Sequence, residues 1–207
     1  MKQNNLLKYF FFVASILITN CLFSQTIRIA PGATISNLKW STSPGSYIFD
    51  ELSVQPAAFV GIEYFNKGAF TISSNVGYHY KAGSELIFIS DSPGNGYRED
   101  VFHAKLGYVT LNTLVDFKLK GPRFTPFASV GPRVDMKVYD KKFQGELFND
   151  FIFGMNTGLG VKFNTGNIGI GVKADYLISF NNLATLKDTK VRDNTFLISV
   201  FIDLPLK

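Results

Sequence analysis

The chain has 207 residues, a formal charge of +5, 46% hydrophobic and 18% charged residues, a balance that suits a single domain. Its excess of Lys and Arg gathers in no cluster, so nucleic-acid binding is not expected. No apolar run approaches the ~20 residues that cross a bilayer as a helix, which argues against a helical membrane protein.

At the N-terminus Lys2 and Lys8 precede the apolar run Tyr9 to Ile18, and the polar stretch Thr19 to Ser24 leads into Gln25. That order is the plan of a secretory signal, with cleavage expected after Ser24. Residues 1–24 are therefore assigned to a signal peptide and 25–207 to one β-barrel domain. Cleavage before Cys21 and acylation on it is the competing ending, but Asn20 stands where such signals place a small residue. The cut after Ser24 leaves no cysteine, hence no disulfide, and removal of Lys2 and Lys8 lowers the charge from +5 to +3.

From residue 26 onward the dominant period is two, the period of strands. Eight strands are predicted at about 26–39, 53–65, 69–81, 102–119, 124–139, 150–163, 168–179 and 194–204, long enough for tilted membrane strands. In the fourth, Val109, Leu111, Thr113, Val115 and Phe117 share one face and Thr110, Asn112, Asp116 and Lys118 the other. The fifth sets Phe124, Pro126, Ala128, Val130 and Val134 against Thr125, Ser129, Arg133, Asp135 and Lys137. The seventh sets Ile168, Ile170, Val172 and Ala174 against Lys173 and Asp175, and the eighth Phe196, Ile198, Val200 and Ile202 against Thr195, Ser199 and Asp203.

Alternation alone does not say which face is inside, because a soluble ligand-binding barrel alternates too. The glycines decide. Gly32, Gly61, Gly77, Gly131, Gly154, Gly158, Gly160, Gly169 and Gly171 fall on the polar face, where a narrow lumen needs room for a long or aromatic side chain opposite. The polar face is then the interior and lipid solvates the apolar one.

The connections agree. Asn66-Lys67-Gly68, Gly121-Pro122-Arg123 and Asn164-Thr165-Gly166-Asn167 read as tight turns, and 40–52, 82–101, 140–149 and 180–193 as long loops. Short turns alternating with long loops are the plan of an eight-stranded antiparallel up-and-down transmembrane barrel with periplasmic turns and both termini at that end. Tyr64, Phe70, Phe117, Phe124 and Phe163 beside the turns, and Tyr78, Tyr80, Phe151, Phe153 and Tyr176 toward the loops, are candidate interfacial girdles.

The segments Ala33-Thr-Ile-Ser-Asn-Leu38, Gly77-Tyr-His-Tyr-Lys81, Tyr108-Val-Thr-Leu-Asn-Thr-Leu114, Pro126-Phe-Ala-Ser-Val-Gly-Pro132 and Gly158-Leu-Gly-Val161 resemble the PorT-like outer-membrane β-barrel domains of Bacteroidota. The resemblance spans nearly the whole mature chain. The chain departs from that family at Asn112-Thr113, where a proline is usual, and at its end, Leu204-Pro-Leu-Lys207, which lacks a terminal aromatic. Membership implies an outer-membrane location and no agreed catalytic residues, and some members are linked to secretion or gliding.

Chemistry is sparse. Inward Arg28, Lys81, Lys118, Lys120, Arg133, Lys137, Lys162 and Lys173 face Glu63, Asp116, Asp135, Asp175 and Asp203, and are expected to pair into a plug instead of lining a pore. His79 and His103, at the long-loop ends of neighbouring strands, with Ser84, Ser90, Asp91 and Ser92 between them, are the only residues from which a rim active site could be built. No spacing ties them together, so no catalytic residue is assigned and the chain is not expected to be an enzyme. Gly169-Ile-Gly-Val-Lys-Ala174 matches a dinucleotide fingerprint but opens no helix. In Asp91-Ser-Pro-Gly-Asn-Gly96, Pro93 stands where a calcium loop needs an oxygen ligand. No cofactor or metal is expected. The reading is a monomeric outer-membrane barrel acting as a membrane-embedded binding or scaffolding module through its long loops, with the surrounding lipid and envelope or secretion-complex proteins as partners; an accessory component of a secretion or gliding assembly and a lipid-modifying enzyme are the two alternatives.

Overall fold

The computed structural model describes residues 26–42, 45–48, 51–90, 97–119, 121, 123–141, 148–166, 168–186 and 189–206, without the side chains of 40–51, 84–103, 141 and 185–189. The expected signal peptide, Lys120 and the 91–96 loop lie outside these residues.

Eight long strands form a closed antiparallel barrel: β1 (Thr26–Thr42), β3 (Glu51–Lys67), β4 (Phe70–Ser90), β5 (Tyr97–Lys118), β6 (Phe124–Lys141), β7 (Phe151–Thr165), β8 (Ile168–Ser179) and β10 (Thr189–Pro205). Each pairs with its chain neighbour, and β1 closes on β10 in a register running from Thr26↔Pro205 to Thr42↔Thr189. Closure leaves the main sheet without an open edge. Two short strands, β2 (Gly45–Ile48) on β1 and β9 (Ala184–Leu186) on β10, prolong the sheet at the long-loop end.

Turn chemistry sets the opposite end. Gly68 and Gly166 hold φ of 64° and 70°, a left-handed conformation that costs little only without a Cβ, and each opens a two-residue link, Lys67↔Phe70 and Thr165↔Ile168.

Side chains alternate as expected. Outside lie Ile29, Val60, Leu111, Phe153, Leu159, Val172 and Ile198, with Leu111 60% and Leu159 69% exposed. Apolar area on this scale around a whole barrel is stable only in contact with lipid. One departure has a structural cause: a bulge between Glu63 and Phe65 places Tyr64 and Phe65 on the same outer side, although strict alternation would turn Phe65 inward.

The long connections are shorter than the sequence suggests. β4 and β5 stay paired from Ser84↔His103 to Ser90↔Tyr97, so most of 82–101 is a two-stranded ribbon and not a loop. Polar-apolar alternation breaks at Ala82-Gly83-Ser84, which hides the continuation, but Leu86-Ile-Phe-Ile89 is strong strand sequence. Likewise β10 starts at Thr189 inside the expected 180–193 loop, and β2 occupies part of 40–52.

Candidate functional site

The lumen is filled by layers of inward side chains. Nearest the short turns, the Arg28 guanidinium grips Asp203 with two hydrogen bonds, Nε to Oδ1 at 2.7 Å and Nη2 to Oδ2 at 3.0 Å. Asp116 lies 3.5 Å and Glu63 3.6 Å from the same guanidinium, which also covers the Phe201 ring at 4.4 Å. Lys162 reaches Asp203 at 2.6 Å, and Lys173 pairs with Asp175 at 2.9 Å. Charge-assisted bonds of this kind offset the large cost of removing each ion from water.

Above this layer the interior turns apolar: Ala30, Ala57, Phe59, Phe127, Leu177, Leu197 and Phe201 form one buried cluster. The three Phe rings occupy space left by glycines directly across the ladder, in the pairs Phe59↔Gly77, Phe127↔Gly160 and Phe201↔Gly171. The glycine expectation is met by rings at these three positions and by Lys162 at Gly169, whereas Gly32 and Gly131 meet neighbouring backbone first. Phe127, Leu197 and Phe201 had not been picked out among the inward residues, because the polar members of their strands drew the face assignment. A cavity of about 30 Å³ bordered by Asn75, Asn112, Asn156 and Lys173 has room for a water or two.

A second charged layer lies nearer the long loops. Lys81 Nζ contacts Asp193 at 2.9 Å, Asp135 at 3.2 Å and the Ser179 hydroxyl at 3.1 Å, with Lys81 and Asp135 wholly buried. Arg133 shares Asp135 at 3.3 Å and donates to Ile178 O and Ser179. Thr110 donates to Asp135 Oδ1 at 2.9 Å, so the contact of equal length to His79 Nδ1 is one in which the imidazole donates. His79 is stacked between Phe59 and Tyr108, and its Nε2 finds no hydrogen-bond partner among the described residues.

A lid of Leu38, Ala104, Leu106, Tyr108, Phe148, Ile152, Leu183, Ala184 and Val191 closes the lumen above that layer. Phe148 and Leu183 come from the long connections and fold inward.

The expected ion plug is present as two charged groups toward the two ends, with the apolar cluster and the Lys173–Asp175 pair between them. Lys137 leaves it for the rim, bonding Phe148 O at 2.7 Å and Asp150 at 3.3 Å, and Lys118 bonds Asn66. Asp193 was missed because it was placed in a loop. Carrying the alternation of Thr195 and Leu197 back to Asp193 and Val191 would have found it.

Of the rim histidine candidates, His79 is 0% exposed, inside the lumen instead of at the rim, and is bonded to Thr110. His103 and Ser84 face each other in the ladder, Ser90 pairs with Tyr97, and their side chains lie outside the description, as do Asp91 and Ser92. The dinucleotide-like segment 169–174 lies within β8, toward its start, and opens no helix.

No family profile matches the sequence, and no match was found among curated proteins. Solved structures do match. OprG from Pseudomonas aeruginosa, an outer-membrane protein, aligns with a TM-score of 0.54 at 9% identity over 88% of this chain and 96% of its own. The fold is that of an outer-membrane β-barrel. Neisserial surface protein A aligns at 0.49 and 10% identity over 85% and 96%, and Ail of Yersinia pestis at 0.43 and 15% over 88% and 100%. With its outward apolar belt, the barrel is consistent with the cell outer membrane.

Proposed function

We propose that the protein is a non-catalytic, membrane-embedded binding or scaffolding module, acting as a monomer through its long-loop end. One observation carries this reading: the lumen is filled while the β4–β5 ribbon continues beyond its neighbours. β3 last pairs with β4 at Glu51↔Ser84 and β6 with β5 at Lys105↔Lys141, yet β4 and β5 remain paired to Ser90↔Tyr97. Six residue pairs, about 20 Å of ribbon, thus have unpaired outer edges among the described residues. Such edges accept an added strand from a partner. Together with the PorT-like resemblance, this favours an accessory role in an envelope assembly serving secretion or gliding.

Photo-crosslinkers at Ile87 and Glu99 in intact cells, with one at Leu111 as the lipid-facing control, test the reading. Crosslinks from the ribbon to one envelope protein are the expected result, and co-purification of that protein with the barrel should be lost when 85–102 is replaced by a short turn. Ribbon positions that trap only what Leu111 traps would contradict it. The burial of His79 and the bond to its Nδ1 weigh against the lipid-modifying alternative, which requires altered lipid profiles after replacement of both His79 and His103.

A further inference from the structure

Among the described side chains, those that carry charge on the outward faces of the strands are cations. Among the described side chains, Glu63, Asp116, Asp135, Asp175, Asp193 and Asp203 are buried in the lumen, and Asp140 stands on its inward side opposite Leu106. The remaining described carboxylate, Asp150 at the rim, is held by Lys137. Cations, in contrast, also point outward, and three gather at the seam between β1 and β10.

There Lys39 stands directly opposite Arg192, and Lys190 follows on the same face of β10, opposite Ser41. All three side chains are exposed, and no described carboxylate reaches them: Arg192 donates to Asn182 Oδ1 at 3.0 Å, a neutral partner. Like charges directly across an antiparallel pair are destabilising, and among the described side chains no carboxylate offsets these three.

Their height identifies the counter-charge. Going down the same face, Asn37↔Asn194 comes next and then Ile35↔Phe196, where the apolar belt begins. Tyr176 packs against Phe196 at a tilt of 39° with ring centroids 4.8 Å apart and donates its hydroxyl to Asn194 at 3.2 Å, so this aromatic pair ends in a polar tip below the cations. An aromatic with one apolar and one hydrogen-bonding end marks the boundary between hydrocarbon and headgroup. The cations therefore stand one step above it, at headgroup depth, on the end of the barrel opposite both termini.

We propose that Lys39, Lys190 and Arg192 form a docking surface for a phosphate-bearing membrane lipid, its phosphates between the three cations and its acyl chains against Ile35, Phe196 and Tyr176. Each cation near an anionic headgroup contributes a favourable electrostatic term that one charge alone would not turn into selectivity.

The test is native mass spectrometry of the detergent-solubilised mature barrel with three probes: bis-phosphoryl lipid A, phosphatidylcholine and inorganic phosphate. The wild type should retain lipid A in preference to phosphatidylcholine, with no competition from inorganic phosphate. Lys39→Gln/Lys190→Gln/Arg192→Gln should lower lipid A retention by about tenfold or more, whereas Lys67→Gln/Arg123→Gln at the short-turn end should not. Folding of each variant is confirmed beforehand by its heat-dependent gel mobility. Equal retention by the triple variant, an equal loss in the double variant, no preference for lipid A, or displacement by inorganic phosphate would each overturn the proposal.

Discussion

Gly160 lies directly across the ladder from Phe127, whose ring fills the space that a Cβ at position 160 would need. Valine at 160 should therefore push this ring off its rotamer and destabilise the barrel by about 1–3 kcal/mol in denaturant titrations of vesicle-folded protein. Phe127→Leu in the same chain should recover part of that loss, giving a coupling energy of at least ~0.5 kcal/mol. Additive effects would mean that ring and glycine do not share the space.

Lys81 holds Asp193 and Asp135 together in the upper layer. Lys81→Met should cost about 3–5 kcal/mol, because it strands buried carboxylates. Adding Asp193→Asn should restore part of the stability, since Asp135 keeps Arg133 and Thr110. The readout is the unfolding midpoint in vesicles, and a double variant less stable than the single would show that Lys81 acts through packing.

Leu111 faces outward at 60% exposure and Thr110 faces inward at 1%. Leu111→Arg should destabilise the inserted barrel by roughly 2–4 kcal/mol if the position lies near the midplane. The inward neighbour should be sensitive for a different reason. Thr110→Val keeps shape but leaves Asp135 Oδ1 and His79 Nδ1 each short of a partner, at about 1–3 kcal/mol. Vesicle-folding equilibria compare the two, and tolerance of arginine at 111 would contradict the outward assignment.

Planar-bilayer recording should find the wild-type barrel electrically silent, because rings, ion pairs and the Leu38–Val191 lid occupy the lumen in successive layers. Steady conductance steps from the wild type would show that these layers open.

Strand number, face and the filled interior were legible because each rests on local rules: period two, positive-φ glycines at turns, and glycines on one face. Phe65 escaped because a bulge changes parity without a sequence mark. The ribbon escaped because Ala82-Gly83-Ser84 interrupts alternation while the backbone ladder continues. The lid could not be read at all, since Phe148 and Leu183 become inward residues only when their connections fold over the rim. For the site, charge pairing was foreseeable but its partners were not: Arg28 and Asp203 are 175 residues apart, and only barrel closure brings them together.

That separation bears on how the chain matures. Until β10 docks on β1, Arg28 lacks the partner that binds it with two hydrogen bonds, and the lumen side of the unfinished sheet carries charges with no mate. Closing the seam thus removes an exposed edge and neutralises the interior in one event, which makes half-closed barrels energetically poor stopping points. The first and last strands form a clasp, and the clasp disfavours leaving the barrel open in the bilayer.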